Sequence, residues 1–339
     1  MRWPLGSVFV AALIGMGGCD DGGGIPPRPV AHPNDDALRL NHLQAEGTHN
    51  SYHVETTDGV VEWNYTHAPL AEQLDSQGVR KLELDVHWEF RSEQHAVFHV
   101  PIADEGTVCE TVIECLEDVK GWSDFHPGHH PLFIMIEPKD QDGGDYPLVA
   151  SRLEGLEEEI RSVLPDDRLI TPELVRGGSD TLVEAIDAVG WPTLGEVRGR
   201  ILFFLDCTRE LCVEYANQGS GLDGRLLFAA SQPGDPWEAV RVINDPEGSG
   251  AEITAAVEAG RIVRTMVDGV DHALDGTTRL EEGLDSGAHL LSTDVPAPRD
   301  DTDYFVEIPG GTPSRCNPVS APDDCTSTDI EDPSLLEGP

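Results

Sequence analysis

Side chains that can bind divalent cations or exchange protons recur through the first half of the chain. They are His49, Asn50, Glu83, Asp85, His99, Glu137 and Lys139. Carboxylate and amide oxygens suit Ca²⁺ or Mg²⁺, and several direct carboxylates favour Ca²⁺. The two histidines could also bind a metal, but an unperturbed pKa of ~6.5 suits them better to proton exchange near neutrality. A cation flanked by an acid–base pair is suited to displacement at a phosphodiester.

These residues follow or lie within short apolar or β-branched runs, which predict β-strands separated by helical patterns. The predicted strands are Leu43–Glu46, Lys81–Val86, Ala96–Val100, Leu132–Ile136, Ile201–Leu205, Leu226–Ala230, Ile262–Val267 and His289–Thr293. This alternation predicts an α/β fold, a single-domain (β/α)₈ TIM-type barrel. The alternative, an open doubly wound sheet, normally has a glycine-rich turn after its first strand, whereas the turn here reads Glu46-Gly47-Thr48-His49.

A parallel barrel gathers the carboxyl ends of its strands on one face, where we expect the polar residues to meet. His49 and Asn50 end the first predicted strand, and His99 ends the third. Each residue alone has an ordinary structural explanation. Glu83 and Asp85 could pair with Arg80 or Lys81, Lys139 could be solvated, and an isolated histidine at a strand end is usually a polar loop residue. The functional interpretation depends on their coincidence at four successive strand ends.

The charge balance limits the possible partners. The chain has 63 Asp and Glu against 22 Lys and Arg, which gives a formal net charge of −41. Nucleic-acid binding requires a basic face, so we expect no nucleic-acid partner. Unassisted docking on anionic lipid is disfavoured for the same reason.

The amino terminus predicts export. Residues 1–18 contain one basic residue and an apolar run too short to span a bilayer comfortably, as in a signal peptide. Residues 16–19, Met-Gly-Gly-Cys, resemble a bacterial lipobox, which predicts a cell-envelope lipoprotein anchored through Cys19. An ordinary cleaved signal and a secreted protein are the alternative. Residues 19–37 read as a tether, so no transmembrane span is expected in the mature chain.

The other six cysteines fall as near neighbours. The pairs are Cys109 with Cys115, Cys207 with Cys212, and Cys316 with Cys325. In an exported chain this spacing predicts three local disulfides. Zinc is the alternative, but no Cys-x-x-Cys pair occurs and no histidine lies close to these cysteines. We expect residues 38–298 to form the barrel and residues 299–339 to form a disulfide-tied tail wrapped around it.

The same motifs resemble those of a known family, the phosphoinositide-specific phospholipases C, in their secreted bacterial, calcium-dependent branch. The segments that resemble its catalytic X-type barrel are Gly47–Tyr52, Gln73-Leu74, Lys81–Val86, Phe98-His99 and Ile136–Lys139. Later segments that are similar to this branch are Leu226–Pro246, Ile262–Asp268, Gly287–Pro298 and Arg315–Pro318 with Cys325. The resemblance therefore covers nearly the whole chain from about Leu38.

The resemblance implies a role for each polar residue. The implied calcium ligands are Asn50, Glu83, Asp85 and Glu137, the implied catalytic pair is His49 and His99, and Lys139 would contact phosphate or inositol. The implied reaction is attack of the inositol 2-hydroxyl on phosphorus in phosphatidylinositol at a membrane surface, by a monomeric enzyme. It releases diacylglycerol and a cyclic inositol phosphate. His99 would protonate the leaving oxygen, and His49 would hydrogen-bond the phosphoryl group.

One residue departs from the pattern, because Met266 stands where this branch tends to have arginine. We therefore expect any difference in head-group preference to arise there. Two other functions are weighed against this one. A glycerophosphodiester phosphodiesterase uses a related barrel but tends to have His-Arg where this chain has His49-Asn50. A non-catalytic calcium-dependent lipid or glycan binder would not require both His49 and His99.

Overall fold

The fold is organised around a curled β-sheet, seen in a computed structural model that describes residues 32–56, 60–217, 221–268, 277–300 and 302–336. Its strands are β1 (Leu43–Thr48), β2 (Lys81–Glu89), β3 (Gln94–Val97), β4 (Leu132–Pro138), β5 (Leu169–Ile170), β6 (Ile201–Leu205), β7 (Phe228–Ala229), β8 (Val240–Val242), β9 (Ile262–Met266), β10 (Leu290–Thr293) and β11 (Arg315–Cys316). Its α-helices are α1 (Leu70–Asp75), α2 (Val112–Phe125), α3 (Tyr146–Val163), α4 (Pro172–Arg176), α5 (Leu182–Ala188), α6 (Leu194–Val197), α7 (Arg209–Tyr215), α8 (Pro246–Glu258), α9 (Thr277–Asp285) and α10 (Ser327–Ile330).

Parallel pairing builds a barrel of the predicted class. The strands pair in the order β5-β6-β4-β2-β1-β10-β9-β8, and β7 pairs with the second half of β6. A parallel bridge between Ala230 and Val240 joins the end of β7 to the start of β8 and brings the sheet round on itself. Strands β4 and β6 are apolar along nearly their whole length, as expected for strands covered on both faces.

Helices cover the outside of the sheet. Helix α3 buries Leu153, Leu156 and Ile160, which recur at the three-to-four spacing of one helix face. Thr111 is the N-cap residue of helix α2. Its side chain accepts a hydrogen bond from the backbone N–H of Glu114, which satisfies a free donor of the first turn. The main apolar core therefore lies between strands and helices, and two smaller buried clusters lie beside β9 and β10.

The third predicted strand is wrong as a barrel strand. Strand β3 pairs antiparallel with β2, with Val97 opposite Val86, so the two form a hairpin. A parallel neighbour would need a crossover of about a dozen residues, and the short turn after β2 cannot supply one. The missing barrel position is filled by β8, whose three residues were too few to predict as a strand.

The predicted disulfides are confirmed at all three positions, including Cys316–Cys325 in the tail. The predicted signal peptide, Cys19 and most of the predicted tether lie outside the described residues. Within the part of the chain that the structure describes, no helix combines the length and apolar character needed to cross a membrane.

Buried ion pairs fasten the tail to the amino-terminal end of the barrel. Arg80, just before β2, is bound by Glu331 through 3.0 and 2.5 Å hydrogen bonds, with both side chains buried. Arg198 binds Asp35 at 2.7 Å and donates to the carbonyl oxygen of Ile330. The first and last described segments therefore meet at the end of the barrel opposite the carboxyl ends of the strands.

Candidate functional site

Three carboxylates converge at the carboxyl ends of two neighbouring strands. Glu83 and Asp85 lie two residues apart on β2 and therefore point to the same side of the sheet, into the barrel. The parallel register pairs Asp85 with Glu137 at the end of β4. One carboxylate oxygen from each of the three lies within 4.8 Å of the others, which makes them a candidate metal-binding group.

Asn50 adds an amide at the end of β1. Its side chain is buried, and its backbone has a φ of 43°, a left-handed conformation that asparagine tolerates better than most residues. The Nδ2 atom donates to the hydroxyl of Tyr65 at 3.1 Å, while the buried Oδ1 atom has no hydrogen-bond partner. Asp85 Oδ1 is also buried without one. These orphaned oxygens beside Glu83 and Glu137 form the oxygen-only donor set that calcium requires, so the residues present fit the ion.

Cationic side chains surround the carboxylates inside the barrel. Lys81 Nζ lies 2.6 Å and Arg264 Nη2 2.9 Å from Glu83 Oε2. Burial would raise the pKa of Glu83, but these two charges hold it well below its usual range. Burial also lowers the pKa of Lys81 to about 8, against the opposing effect of Glu83. A Cβ atom on Gly47 would lie 2.6 Å from Lys81 Cδ, so the glycine leaves room for this lysine.

Lys139 lies directly against two of the predicted calcium ligands. Its Nζ atom is 2.8 Å from Asp85 Oδ2 and 2.8 Å from Glu137 Oε1. Burial alone would lower the pKa of Lys139, but the two carboxylates raise it above its usual value. Burial raises the pKa of Asp85 to about 7, with Glu137 and Glu83 adding to the shift and Lys139 opposing it.

Each predicted catalytic histidine is held by a carboxylate. His49 Nδ1 lies 2.7 Å from Asp294 Oδ1, and its Nε2 lies 3.7 Å from Glu83 Oε1. His99 Nδ1 lies 2.9 Å from Asp104 Oδ2. The pKa values nevertheless move in opposite directions. Burial opposes protonation of His49, but Asp294 and Glu83 raise its pKa to about 9. Burial lowers the pKa of His99 despite the hydrogen bond to Asp104.

His99 lies at the carboxyl-terminal rim of the barrel, but it does not follow a barrel strand as the sequence predicted. It follows β3, which returns along the extended end of β2 instead of running through the barrel. The ring of Trp63 packs edge-on against His99, with ring centroids 5.5 Å apart. His99 therefore lies at the predicted rim, although the strand that precedes it was placed wrongly.

Sequence reasoning missed the partners of both histidines. Asp294 immediately follows β10, so the rule that collects residues at strand ends could have found it. Asp104 has no such signal, because it lies in a loop closed by backbone hydrogen bonds between Val100 and Asp104. Met266, the departure from the family pattern, lies on β9 with its sulfur 3.9 Å from Arg264 Nη2.

Comparisons with known proteins bear on the family and the fold. The sequence model for calcium-dependent phosphoinositide phospholipase C matches residues 38–96 and 87–318. No curated protein matches the chain significantly. The apo structure of a calcium-dependent phosphoinositol-specific phospholipase C from Pseudomonas sp. is similar with a TM-score of 0.56 and 20% identity, covering 77% of this chain and 92% of that one.

A second solved structure is the calcium-dependent phosphatidylinositol-specific phospholipase C from Streptomyces antibioticus. It has a TM-score of 0.57 and 22% identity, and the match covers 76% of this chain and 95% of that one. At these identities the structural likeness establishes the fold, while the family model spans most of the chain. The chain therefore belongs to the calcium-dependent phosphoinositide phospholipase C family of phosphodiesterases.

Proposed function

We propose that the enzyme cleaves phosphatidylinositol by attack of the inositol 2-hydroxyl on phosphorus, releasing diacylglycerol and a cyclic inositol phosphate. The observation that carries the proposal is the oxygen-only cluster of Asn50, Glu83, Asp85 and Glu137 at a rim that also holds two carboxylate-paired histidines. Calcium held by these four residues would offset charge on the phosphoryl oxygens and acidify the attacking hydroxyl.

The two histidines are suited to different tasks. His49, with a pKa of about 9, is protonated near neutral pH and can donate a hydrogen bond to a phosphoryl oxygen. His99 has a lowered pKa and an Nδ1 atom occupied by Asp104, so its Nε2 atom can deliver a proton to the leaving oxygen and release it readily.

The proton of the attacking hydroxyl needs an acceptor, and Glu83 and Glu137 are the two carboxylates considered. Glu83 is a weak base because Lys81 and Arg264 hold its pKa well below the usual range. Glu137 is 27% exposed and lies at the mouth of the barrel, where substrate enters. We therefore assign proton uptake to Glu137. Lys139 is assigned to the phosphate or the inositol ring, which it can contact once it leaves the two carboxylates.

Exposed apolar side chains near the mouth support a substrate presented at a membrane surface. Ile102, three residues after His99, is 95% exposed and has a φ of 69°, which is unusual for a β-branched residue. Phe90, in the turn of the β2–β3 hairpin, is 73% exposed. Both loops border the end of the barrel that holds the carboxylates.

We further propose that the chain is exported, with residues 1–18 as signal peptide, Cys19 as the lipid anchor and residues 19–37 as tether. The disulfides support an oxidising compartment. Residues 38–298 would then form the barrel and residues 299–339 the tail of a monomeric enzyme. Labelling with a radioactive fatty acid should mark the wild-type protein and not Cys19→Ala.

Head-group release from phosphatidylinositol vesicles tests the proposed reaction. Calcium should support release, a chelator should abolish it, and phosphorus NMR should detect the cyclic product. His99→Ala should lower the rate by a factor on the order of 10²–10⁴, whereas His126→Ala, outside the site, should not. Turnover of glycerophosphoinositol or glycerophosphocholine in preference to the lipid would refute the proposal in favour of a glycerophosphodiesterase. Calcium binding without turnover would indicate a non-catalytic binder.

A further inference from the structure

One buried carboxylate on the outside of the barrel has an oxygen without a partner. Gln44, Glu46 and Thr48 alternate along β1 and therefore share one face, which packs against α1 and the tail. The amide of Gln44 donates to the carbonyl oxygen of Ala288 at 2.7 Å, and the hydroxyl of Thr48 donates to Gln73 Oε1 at 2.8 Å. Glu46 lies between them and is 5% exposed, yet its Oε1 atom has no hydrogen-bond partner. Buried polar groups are nearly always hydrogen-bonded in folded proteins, so this carboxylate requires an explanation.

Glu46 lines a cavity of about 270 Å³ between β1, the turn after α1 and the tail. Gln77, in that turn, also lines the cavity, and its Oε1 atom is buried without a hydrogen-bond partner. Gly78 has a φ of 75°, and a Cβ atom there would lie 2.9 Å from Cβ of Pro313, so the turn and the tail meet closely along one wall. Phe305, which is 37% exposed, supplies an apolar wall. The two orphaned oxygens therefore belong to side chains that line one cavity.

The charge of Glu46 is not balanced by a basic group at the cavity. Burial raises the pKa of Glu46 well above its usual value, and the nearby carboxylates of Asp268 and Glu307 raise it further. None of the described residues that line the cavity is a lysine, an arginine or a histidine. Asp268 itself is satisfied, because its Oδ2 atom accepts hydrogen bonds from the hydroxyls of Thr293 and Tyr304. A bound cation at Glu46 would supply the missing countercharge.

The geometry distinguishes between kinds of cation. Both orphaned oxygens accept hydrogen bonds, so a ligand that satisfies them must donate. Among the described residues, ligand atoms of three His, Cys, Asp or Glu side chains lie within 4.8 Å of one another only at Glu83, Asp85 and Glu137, so this cavity offers no such triad to a bare metal ion. A primary ammonium group has three N–H donors, and its alkyl stem can pack on the ring of Phe305. A quaternary ammonium group has no N–H donor.

We propose that this cavity binds a small organic molecule through a primary ammonium group, which donates to Glu46 Oε1 and Gln77 Oε1. The alkyl part of the ligand lies against Phe305, and the exposed Glu307 adds to the attraction for a cation. The site uses none of the carboxylates at the barrel mouth, so the inference is independent of the proposed reaction. Free amines and the head groups of aminophospholipids both carry this group, and the experiment separates them.

Ligand-observed NMR with n-butylammonium measures binding to the full-length protein. Saturating calcium is kept in the buffer, so that the carboxylates at the barrel mouth hold the ion and do not bind the amine. The wild type should bind n-butylammonium at one site, and it should bind tetramethylammonium, which has the charge but no N–H, at least about tenfold more weakly. Glu46→Gln keeps the shape of the side chain and removes its charge, so the dissociation constant should rise roughly 10- to 100-fold. Gln77→Leu, which also tests the site if Glu46→Gln does not fold, should raise it by a smaller factor.

Glu157→Gln is the matched control, because Glu157 is another buried carboxylate and already accepts a hydrogen bond from the hydroxyl of Tyr215. It should bind n-butylammonium like the wild type. Phosphatidylethanolamine vesicles that displace the amine would assign the ammonium group to a lipid head group, and vesicles without effect would assign it to a free amine. Absence of binding by the wild type, equal affinity for tetramethylammonium, displacement by magnesium, or unchanged affinity in Glu46→Gln and Gln77→Leu would each overturn the inference.

Discussion

Replacing Lys139 by glutamine should tighten calcium binding. The ammonium group of Lys139 lies 2.8 Å from one oxygen of Asp85 and 2.8 Å from one oxygen of Glu137. A divalent cation that binds both carboxylates must displace the ammonium group, whose positive charge then stays nearby and repels the ion. Lys139→Gln removes both of these costs in binding free energy and keeps a side chain of similar length.

The size of the effect follows from Coulomb's law. Lys139 is 21% exposed, so a water-like dielectric constant is appropriate once the lysine has moved away. A unit charge about 4–8 Å from a divalent ion then costs about 1–2 kcal/mol. This corresponds to a dissociation constant roughly 5- to 30-fold lower in the variant.

Isothermal titration of calcium into the chelator-stripped protein measures this change without any substrate. Lys120→Gln is the matched control, because Lys120 is paired with Asp124 on the surface and its loss changes the net charge equally. The control should bind calcium like the wild type. If Lys139→Gln binds calcium equally well or more weakly, Lys139 does not compete with the ion and the reasoning is refuted.

The ion pair that fastens the tail and the hydrogen bond that holds His49 give two further predictions. Glu331→Gln leaves the buried Arg80 without its countercharge and should lower the free energy of unfolding in urea by about 3–5 kcal/mol, whereas Asp332→Asn at the neighbouring, half-buried position should not. Arg80 holds the pKa of Glu331 at about 2 despite burial, so this stabilisation is present above the unfolded pKa and should be lost as pH falls toward 2. In chelated protein, Asp294→Asn should return the pKa of His49 from about 9 toward its ordinary value. A group whose pKa is higher in the folded state than in the unfolded state stabilises the fold below its unfolded pKa. The free energy of unfolding of the wild type should therefore exceed that of Asp294→Asn at low pH, and this difference should be lost as pH rises from ~6.5 to about 9. A difference that stays unchanged across this range would contradict the assignment.

The parts of the site that could be predicted from sequence depend on local rules. Two residues on one strand share a face, which brings Glu83 and Asp85 together without any knowledge of the fold. The carboxyl ends of parallel strands share a rim, which adds Asn50 and Glu137. Both rules need only the position of each strand in the sequence.

The remaining features depend on pairing between distant segments. Whether the run at Ala96 crosses the barrel or returns along β2 is decided by the length of the preceding turn and by which edge is free. The pairing of His99 with Asp104 depends on a loop that has no recognisable pattern. Lys139 could be assigned to substrate by resemblance, but its contact with Asp85 arises from packing inside the barrel.

The two ends of the described chain meet at the amino-terminal end of the barrel, opposite the carboxyl ends of the strands. The backbone N–H of Gly128 donates to the carbonyl oxygen of Leu336, and His32 Nδ1 lies 3.4 Å from the carbonyl oxygen of Thr328. Under the proposed anchoring through Cys19, the tether would therefore join the protein at His32, on the side facing away from the carboxylates. From Cys19 it would span at most about 45 Å. With the barrel axis perpendicular to the membrane, the end of the barrel that holds the carboxylates would face away from the leaflet that holds the anchor. It would then face lipid in an opposing bilayer.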